Sequence, residues 1–131
     1  FALQQVTQSV QLRLAKSPMQ EAHSEFVRFK TTRRAHYDAF APTDPVDFDT
    51  LLFNADGQLT ECTRGNIALL IDGQWLTPHE DCGLLAGVRR SVALEEGWLR
   101  EAVLSVDQDL QRAQALRFIN SLSGCLPAHL A

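Results

Sequence analysis

The feature that most constrains this chain is a pair of strand-like runs, each folded back on itself about a glycine turn. Residues 66–71, NIALLI, meet Asp72-Gly73 and continue through Gln74–Thr77 to Pro78. Two apolar runs separated by Asp-Gly form a strong local signal for a β-hairpin, because these two residues tolerate the positive φ of its tight turn. Just upstream, residues 48–53, FDTLLF, enter Asn54-Ala55-Asp56-Gly57 and emerge as Gln58–Cys62. That stretch reads as another hairpin. Two adjacent hairpins commit the middle of the chain to sheet, and the remaining segments have to cover it.

Those segments are shorter and more mixed. The run VQLRLAK alternates apolar and polar residues as a half-buried strand does, and Ser17-Pro18 breaks it. Residues 25–30, EFVRFK, predict a strand with Phe26, Arg28 and Lys30 on one face. The stretch TTRRAHYDAFA predicts a short helix stopped before Pro42 and Pro45. The spacing of Val88, Val92 and Leu94 predicts a helix over about 87–97, capped by Gly97. A strand at 99–104, a short helix capped by Asp107 and running through Arg112, and a strand at 115–119 complete the reading. Residues 120–124 form a polar turn. With 131 residues, 45% apolar and 21% charged, the chain suits one α+β domain over residues 1–131 with a real core and mostly antiparallel hairpins.

Charge and cysteine usage narrow the function classes. A net charge of −4 offers no basic excess to neutralise phosphates or an anionic membrane, which argues against nucleic-acid and membrane partners. Three widely spaced cysteines make neither a disulfide framework nor a CxxC pattern, and a reducing cytoplasm is the simplest setting. No apolar run approaches the roughly 18–20 residues that span a bilayer. The opening FALQQVTQSVQLRLAKS lacks the basic-then-apolar order of a signal peptide and has no initial methionine. It reads as an internal segment of a longer protein.

Several residues can carry chemistry. Lys30 closes a predicted strand and precedes Thr31-Thr32-Arg33-Arg34. A lysine partly desolvated among apolar neighbours and cations loses its proton more readily, and only the free amine attacks a carbonyl. The competing reading is a solvated basic run at a strand end. Glu61, between the two hairpins, can pair with a protonated ring nitrogen and make a cofactor ring a better electron sink, or it can be a surface charge. The Thr63-Arg64-Gly65-Asn66 that follows joins a hydroxyl, a guanidinium and a glycine, a combination suited to a carboxylate or phosphate. Gly83-Leu84-Leu85-Ala86-Gly87-Val88-Arg89-Arg90 opens a predicted helix, whose free amides and dipole favour an anion. Its spacing fits neither a Walker loop nor a dinucleotide fingerprint. Ser121 can add a hydroxyl to the same anion, while Ser123 reads as a turn cap. The consecutive ligand types in His79-Glu80-Asp81-Cys82 converge poorly on one metal ion, and no GxSxG elbow marks a hydrolase.

Taken in order, these pieces resemble a known family. Phe29-Lys30-Thr31-Thr32-Arg33-Arg34 with Tyr37-Asp38 resembles the lysine motif of aminodeoxychorismate lyases, particularly the form fused behind an aminodeoxychorismate synthase component. Thr60-Glu61-Cys62-Thr63-Arg64-Gly65-Asn66-Ile67, Asp72-Gly73-Gln74-Trp75-Leu76-Thr77-Pro78, the Gly83–Arg90 run and Phe118-Ile119-Asn120-Ser121-Leu122 resemble segments that recur at similar spacing across fold-type IV pyridoxal-phosphate enzymes. That group includes branched-chain and D-amino-acid aminotransferases. The resemblance covers nearly the whole chain and implies the large, C-terminal domain of that fold, with the family's smaller N-terminal domain absent. It implies pyridoxal 5′-phosphate as cofactor. Lys30 matches the lysine that holds the cofactor and moves the proton, and Glu61 the glutamate at the pyridine nitrogen. Val88 and Arg89 match the helix-start residues whose amides hold the phosphate, and Ser121 matches the hydroxyl that joins them. Arg34 and Arg64 are assigned here to substrate carboxylates. In the aminotransferases a tyrosine stands closer behind the lysine than Tyr37 does.

The implied reaction is the lyase one. Lys30 removes a proton from the amine-bearing carbon of 4-amino-4-deoxychorismate, pyruvate leaves, and 4-aminobenzoate remains, a step of folate biosynthesis. The nearest alternative is an aminotransferase of the same fold. An alternative of another class is a non-catalytic domain kept as an assembly surface. The resemblance further implies a homodimer and a fused or associated synthase component.

Overall fold

The computed structural model describes residues 9–18, 37 and 40–131. The predicted strand at 25–30 lies outside these residues, as does the predicted helix at 31–41 apart from Tyr37, Phe40 and Ala41. The described strands are β1 (Val10–Leu14), β2 (Asp49–Phe53), β3 (Leu59–Cys62), β4 (Asn66–Ile71), β5 (Gln74–Pro78), β6 (Leu99–Ala102), β7 (Ala115–Asn120) and β8 (Gly124–Leu130). A 3-10 turn at Glu80–Cys82, helix α1 (Val88–Glu96) and the one-turn helix α2 (Asp109–Arg112) complete the described elements.

All eight strands join one sheet in the order β3-β2-β1-β8-β7-β4-β5-β6. Both predicted hairpins are present as antiparallel pairs, β2 with β3 and β4 with β5. In the second, Asp72 (φ 52°) and Gly73 (φ 78°) both adopt the left-handed backbone that a two-residue hairpin turn demands. The sheet is more mixed than expected, because β1 runs parallel to both β2 and β8, and β5 runs parallel to β6. The residues of β3 and β4 are joined by a three-residue turn closed by Cys62 N–H to the Gly65 carbonyl at 2.8 Å. Since β3 is one edge of the order and β4 lies five strands on, that short connection curls the sheet back on itself.

One sheet face lines the main core. Leu12, Leu51, Ile67, Leu69 and Phe118 are fully buried there, and α2 adds Leu110. Phe118 meets Phe48 edge-to-face with ring centroids 4.9 Å apart. The alternate residues, Ala68 and Ile119, face the other way and pack with Ala93 of α1 and Leu99, as the two-residue period of a strand requires. A smaller cluster of Ala15, Tyr37 and Leu52 covers the same outer face at β1 and β2. No helix among the described residues is long and apolar enough to cross a membrane.

Two local expectations are corrected, and one strand was not foreseen. Two of the three residues of the predicted apolar stripe of α1 are turned outward, with Val88 72% and Val92 37% exposed, while Leu94 packs against the core. The helix instead buries Ala93 and Arg90, and the Arg90 guanidinium donates to Glu101 Oε2 at 2.6 Å and to the Pro78 carbonyl at 3.1 Å. An ion pair with β6, invisible to apolar spacing, sets the helix's rotation. Asp107 does not cap α2. Ser105 Oγ accepts from the Gln108 and Asp109 amides, and Asp109 Oδ2 accepts from the Ser105 amide, a reciprocal cap centred two residues away. Finally, β8 extends beyond the predicted polar turn. Pro127 masks it in the sequence, yet β1 pairs only with Ala128–Leu130, past the proline.

The Arg90 hydrogen bond holds the Glu101 carboxyl below the usual range against the opposing effect of partial burial. A depressed carboxyl contributes stability that is present above the ordinary carboxylate range and lost as pH falls through the folded-state value. Glu101→Ala therefore destabilises the fold at pH 7 by about 2–3 kcal/mol, less than the roughly 3–5 kcal/mol of a fully buried broken pair because Glu101 keeps 32% of its side chain in water. Urea denaturation at pH 7 and again near pH 3 checks this, with the difference from the wild-type chain closing at the acid end.

Candidate active site

The β2–β3 hairpin is not a regular ladder. Leu51 pairs with Cys62 and Phe53 with Leu59, so Thr60 and Glu61 together stand against Leu52. The extra residue is a β-bulge, a device that re-aims side chains. Leu59 and Cys62 join the main core, whereas Glu61 meets Tyr37, which packs with Leu52 on the outer face. Glu61 is 4% exposed and Tyr37 5%. An interior carboxylate needs donors to offset its lost hydration. The Tyr37 hydroxyl donates to Oε2 in a short hydrogen bond. The Leu85 amide donates to Oε1 at 3.3 Å. Glu61 is thus a buried, held carboxylate rather than a surface charge.

Leu85 belongs to the loop that leads into α1. Its carbonyl accepts from Asn66 Nδ2 at 3.0 Å, and Asn66 Oδ1 accepts from the Gly87 amide at 3.3 Å. Gly87 is the N-cap of α1, and no side chain caps that end. The helix start at Val88 and Arg89, both exposed, therefore stands as a tethered group of amides with the helix dipole behind it. Gly87 cannot be enlarged freely, since a Cβ there would lie 2.8 Å from Asn66 Oδ1.

Two further turns meet at this end of the sheet. Gly65 packs so closely on β7 that a Cβ would stand 2.7 Å from the Ile119 carbonyl oxygen and the Phe118 ring. Asn120 Nδ2 donates to the Arg64 carbonyl at 3.1 Å, which ties the β3–β4 turn to the β7–β8 turn. Ser121, exposed, and Ser123 lie in that β7–β8 turn. The turn neighbours α1, because a Cβ on Gly124 would lie 3.8 Å from the Arg89 guanidinium. Buried Asp49 holds the β3–β4 turn from below, accepting from the Thr63 amide at 3.2 Å, the Thr63 hydroxyl at 2.5 Å and the Arg64 amide at 3.0 Å.

Of the residues singled out in the sequence, the fold gathers Glu61, Arg64, Val88, Arg89 and Ser121 at this end of the sheet. Lys30 and Arg34 lie outside the described residues. Arg64 is engaged by its own scaffold. Its guanidinium donates to the Phe48 carbonyl, its Nε is 3.8 Å from Asp49 Oδ2, and it stacks on the Phe48 ring at 5.1 Å, while 53% of the side chain stays exposed. With Tyr37, Phe48 and Thr63 it lines a cleft of about 440 Å³ that also receives Asp44 and Asp47. Asp47 is neutralised there by Arg13 at 2.5 Å and receives Gln11 at 2.9 Å.

The donor set suits a ligand that is cationic at one end and anionic at the other. A buried carboxylate receives the first, and uncapped helix amides receive the second. The family model for amino-transferase class IV matches residues 2–131. The chain belongs to the amino-transferase class IV family.

The chain is similar to proteins of differing names. A Schizosaccharomyces pombe protein, provisionally named an aminodeoxychorismate lyase, is 38% identical over 76 residues, covering 55% of this chain and 33% of its own length. A crystal structure of a provisionally named amino-acid aminotransferase from Mesorhizobium loti superposes with a TM-score of 0.86 at 38% identity, over 96% of this chain and 61% of that one. The 4-amino-4-deoxychorismate lyase of Pseudomonas aeruginosa shares the fold at a TM-score of 0.80 and 21% identity, over 99% of this chain and 50% of that one. The chain thus spans between a third and two thirds of the length of these class IV proteins.

The sequence reading of this class IV chain did not single out Asn66 as a tether, nor Asp49 or Asn120. Each is a small polar residue beside a predicted turn, a signal too common to stand out. It also left the contact of Tyr37 open. Tyr37→Phe removes one donor from a buried carboxylate and destabilises the chain by about 1–3 kcal/mol, seen as a lower urea midpoint at unchanged slope.

Proposed function

We propose that this chain is the lysine-bearing portion of a pyridoxal-phosphate enzyme, and that its reaction is the release of pyruvate from 4-amino-4-deoxychorismate to leave 4-aminobenzoate. The observation that carries the cofactor reading is the Glu61 carboxylate, buried on a β-bulge and linked through Leu85 to the start of α1. Members of the family use pyridoxal phosphate. When bound, the cofactor supplies an electron sink conjugated to the carbon that loses a proton.

The chain's own residues divide the remaining work. Glu61 keeps the ring nitrogen protonated by offering it a carboxylate in a site shielded from water. The Val88 and Arg89 amides, with the α1 dipole and the Ser121 hydroxyl, hold the phosphate. Lys30 would hold the cofactor, and its free amine would take the proton from the amine-bearing carbon of the substrate. The enolpyruvyl C–O bond then breaks as the ring becomes aromatic, the methylene carbon gains a proton, and pyruvate departs. Arg34 and Arg64 bind the substrate carboxylates, and Arg64 does so at the rim of the cleft that Tyr37 shares with it. Because aromatisation drives the step, the protein contributes mainly orientation and proton transfer.

The Thr31-Thr32-Arg33-Arg34 segment and the S. pombe relative support the lyase reading. A second reading, amino-group exchange between an amino acid and a keto acid, is favoured by the M. loti structure, which is equally similar and covers more of this chain. A cytoplasmic homodimer, with a synthase component fused or associated, belongs to the same proposal.

Mixing the purified chain with pyridoxal phosphate tests the cofactor reading. The expected result is an absorbance band near the visible edge that is lost in Lys30→Ala. Its absence from both proteins would overturn the reading for this chain. Where the band is present, pyruvate release from 4-amino-4-deoxychorismate without keto-acid exchange supports the lyase, and the reverse result establishes the aminotransferase reading.

A further inference from the structure

We infer that Asn66 is a positioning residue for the cofactor phosphate, setting the α1 N-terminus at a fixed separation from the Glu61 carboxylate. The inference rests on the cofactor reading above and adds a residue to it.

Asn66 opens β4, is 4% exposed, and pairs with Ile119 of β7, so its backbone is anchored in the sheet at the end where the turns meet. Both ends of its carboxamide bond one loop. Nδ2 donates to the Leu85 carbonyl at 3.0 Å and Oδ1 accepts from the Gly87 amide at 3.3 Å. One partner is an acceptor and the other a donor, so only one amide orientation satisfies both. The same Leu85 sends its amide to Glu61 Oε1 at 3.3 Å. A continuous set of hydrogen bonds therefore runs from the carboxylate, through Leu85 and Asn66, to the N-cap of the helix.

The intervening residues 84–87 have no regular structure, and a loop of that kind does not hold a helix end at a defined distance unaided. Asn66 supplies the restraint. The fit leaves no slack, because a Cβ on Gly87 would sit 2.8 Å from Oδ1. A ligand that binds at both ends gains from amides already in position, since no ordering is then left to do on binding. A shift of an ångström at one end costs about 100-fold in such arrangements. Asn66 touches neither end of the ligand in this scheme. It acts through Gly87 and Leu85.

The test compares pyridoxal phosphate with pyridoxal, which lacks the phosphate, by titrating each into the chain and following tryptophan fluorescence and absorbance. The wild-type chain is expected to bind the phosphorylated form more tightly. Asn66→Ala is expected to weaken pyridoxal phosphate by about 10–100-fold and pyridoxal by much less, so the advantage given by the phosphate shrinks. Gly87→Ala provides a second variant should the first not fold. Its backbone angles of φ −70° and ψ 160° suit alanine, and it displaces the Asn66 amide without deleting a polar group. In the Asn66→Ala background the Gly87 substitution should add little. A wild-type phosphate advantage with equal losses for both ligands in the variants would overturn the inference and leave the site reading intact. No phosphate advantage in the wild-type chain would overturn the site reading and the inference with it.

Discussion

A carboxylate removed from water is stable only where donors replace its hydration, and Glu61 is placed under that condition by the backbone itself. The bulge in the β2–β3 hairpin puts Thr60 and Glu61 together opposite Leu52, so one extra residue moves an acidic side chain to the outer face where Tyr37 lies. Had the ladder been regular between Leu51 and Phe53, β3 would have kept strict alternation, and a one-residue slip reverses which face each side chain meets. The carboxylate then recruits the loop before α1 through the Leu85 amide. A strand irregularity thereby decides where a helix begins relative to a charge.

The outer face that results is built from turns rather than from the interiors of strands. The β3–β4 turn, the β7–β8 turn and the loop before α1 come together at one end of the curled sheet. Each is held by a small polar residue: buried Asp49 and Asn66, and half-buried Asn120. Gly65 shows how tightly the turns are seated, since even a methyl group there would meet the Ile119 carbonyl. Loops carry binding groups well only when a rigid scaffold fixes them. Here the fixing is done by side-chain carboxamides and carboxylates acting on backbone groups, and the hydrophobic core lies on the opposite face.

How much of this was legible follows from how local each cause is. Both hairpins were readable because Asn54–Gly57 and Asp72-Gly73 specify turns within four residues or fewer. The start and end of α1 were readable from its glycines. Its rotation was not, because Arg90 is drawn inward by Glu101, eleven positions away on another strand, and apolar spacing assigns that inward role to Val88 and Val92 instead. β8 was missed because Pro127 and a lack of alternation count against a strand, while the pairing with β1 and β7 that compensates is long-range. The site residues were named from residue types in order. Their burial was not readable, since a bulge is a property of register between two strands and leaves no mark in either one alone.

This division also bears on why one scaffold serves different reactions. The groups that would grip a cofactor at its two ends are joined by hydrogen bonds from the Glu61 and Asn66 side chains to the backbone of Leu85 and Gly87. Arg64, by contrast, has half its side chain in solvent and lines a cleft bounded by the 41–48 segment. Of the residues lining that cleft, Tyr37 reaches the Glu61 carboxylate, whereas Arg64, Phe48 and Asp44 lie outside the Glu61–Leu85–Asn66 chain. In the proposed reading, such a fold varies its substrate at the cleft while the groups that would hold the cofactor stay constant, since function is set by sites carried on a fold rather than by the fold itself.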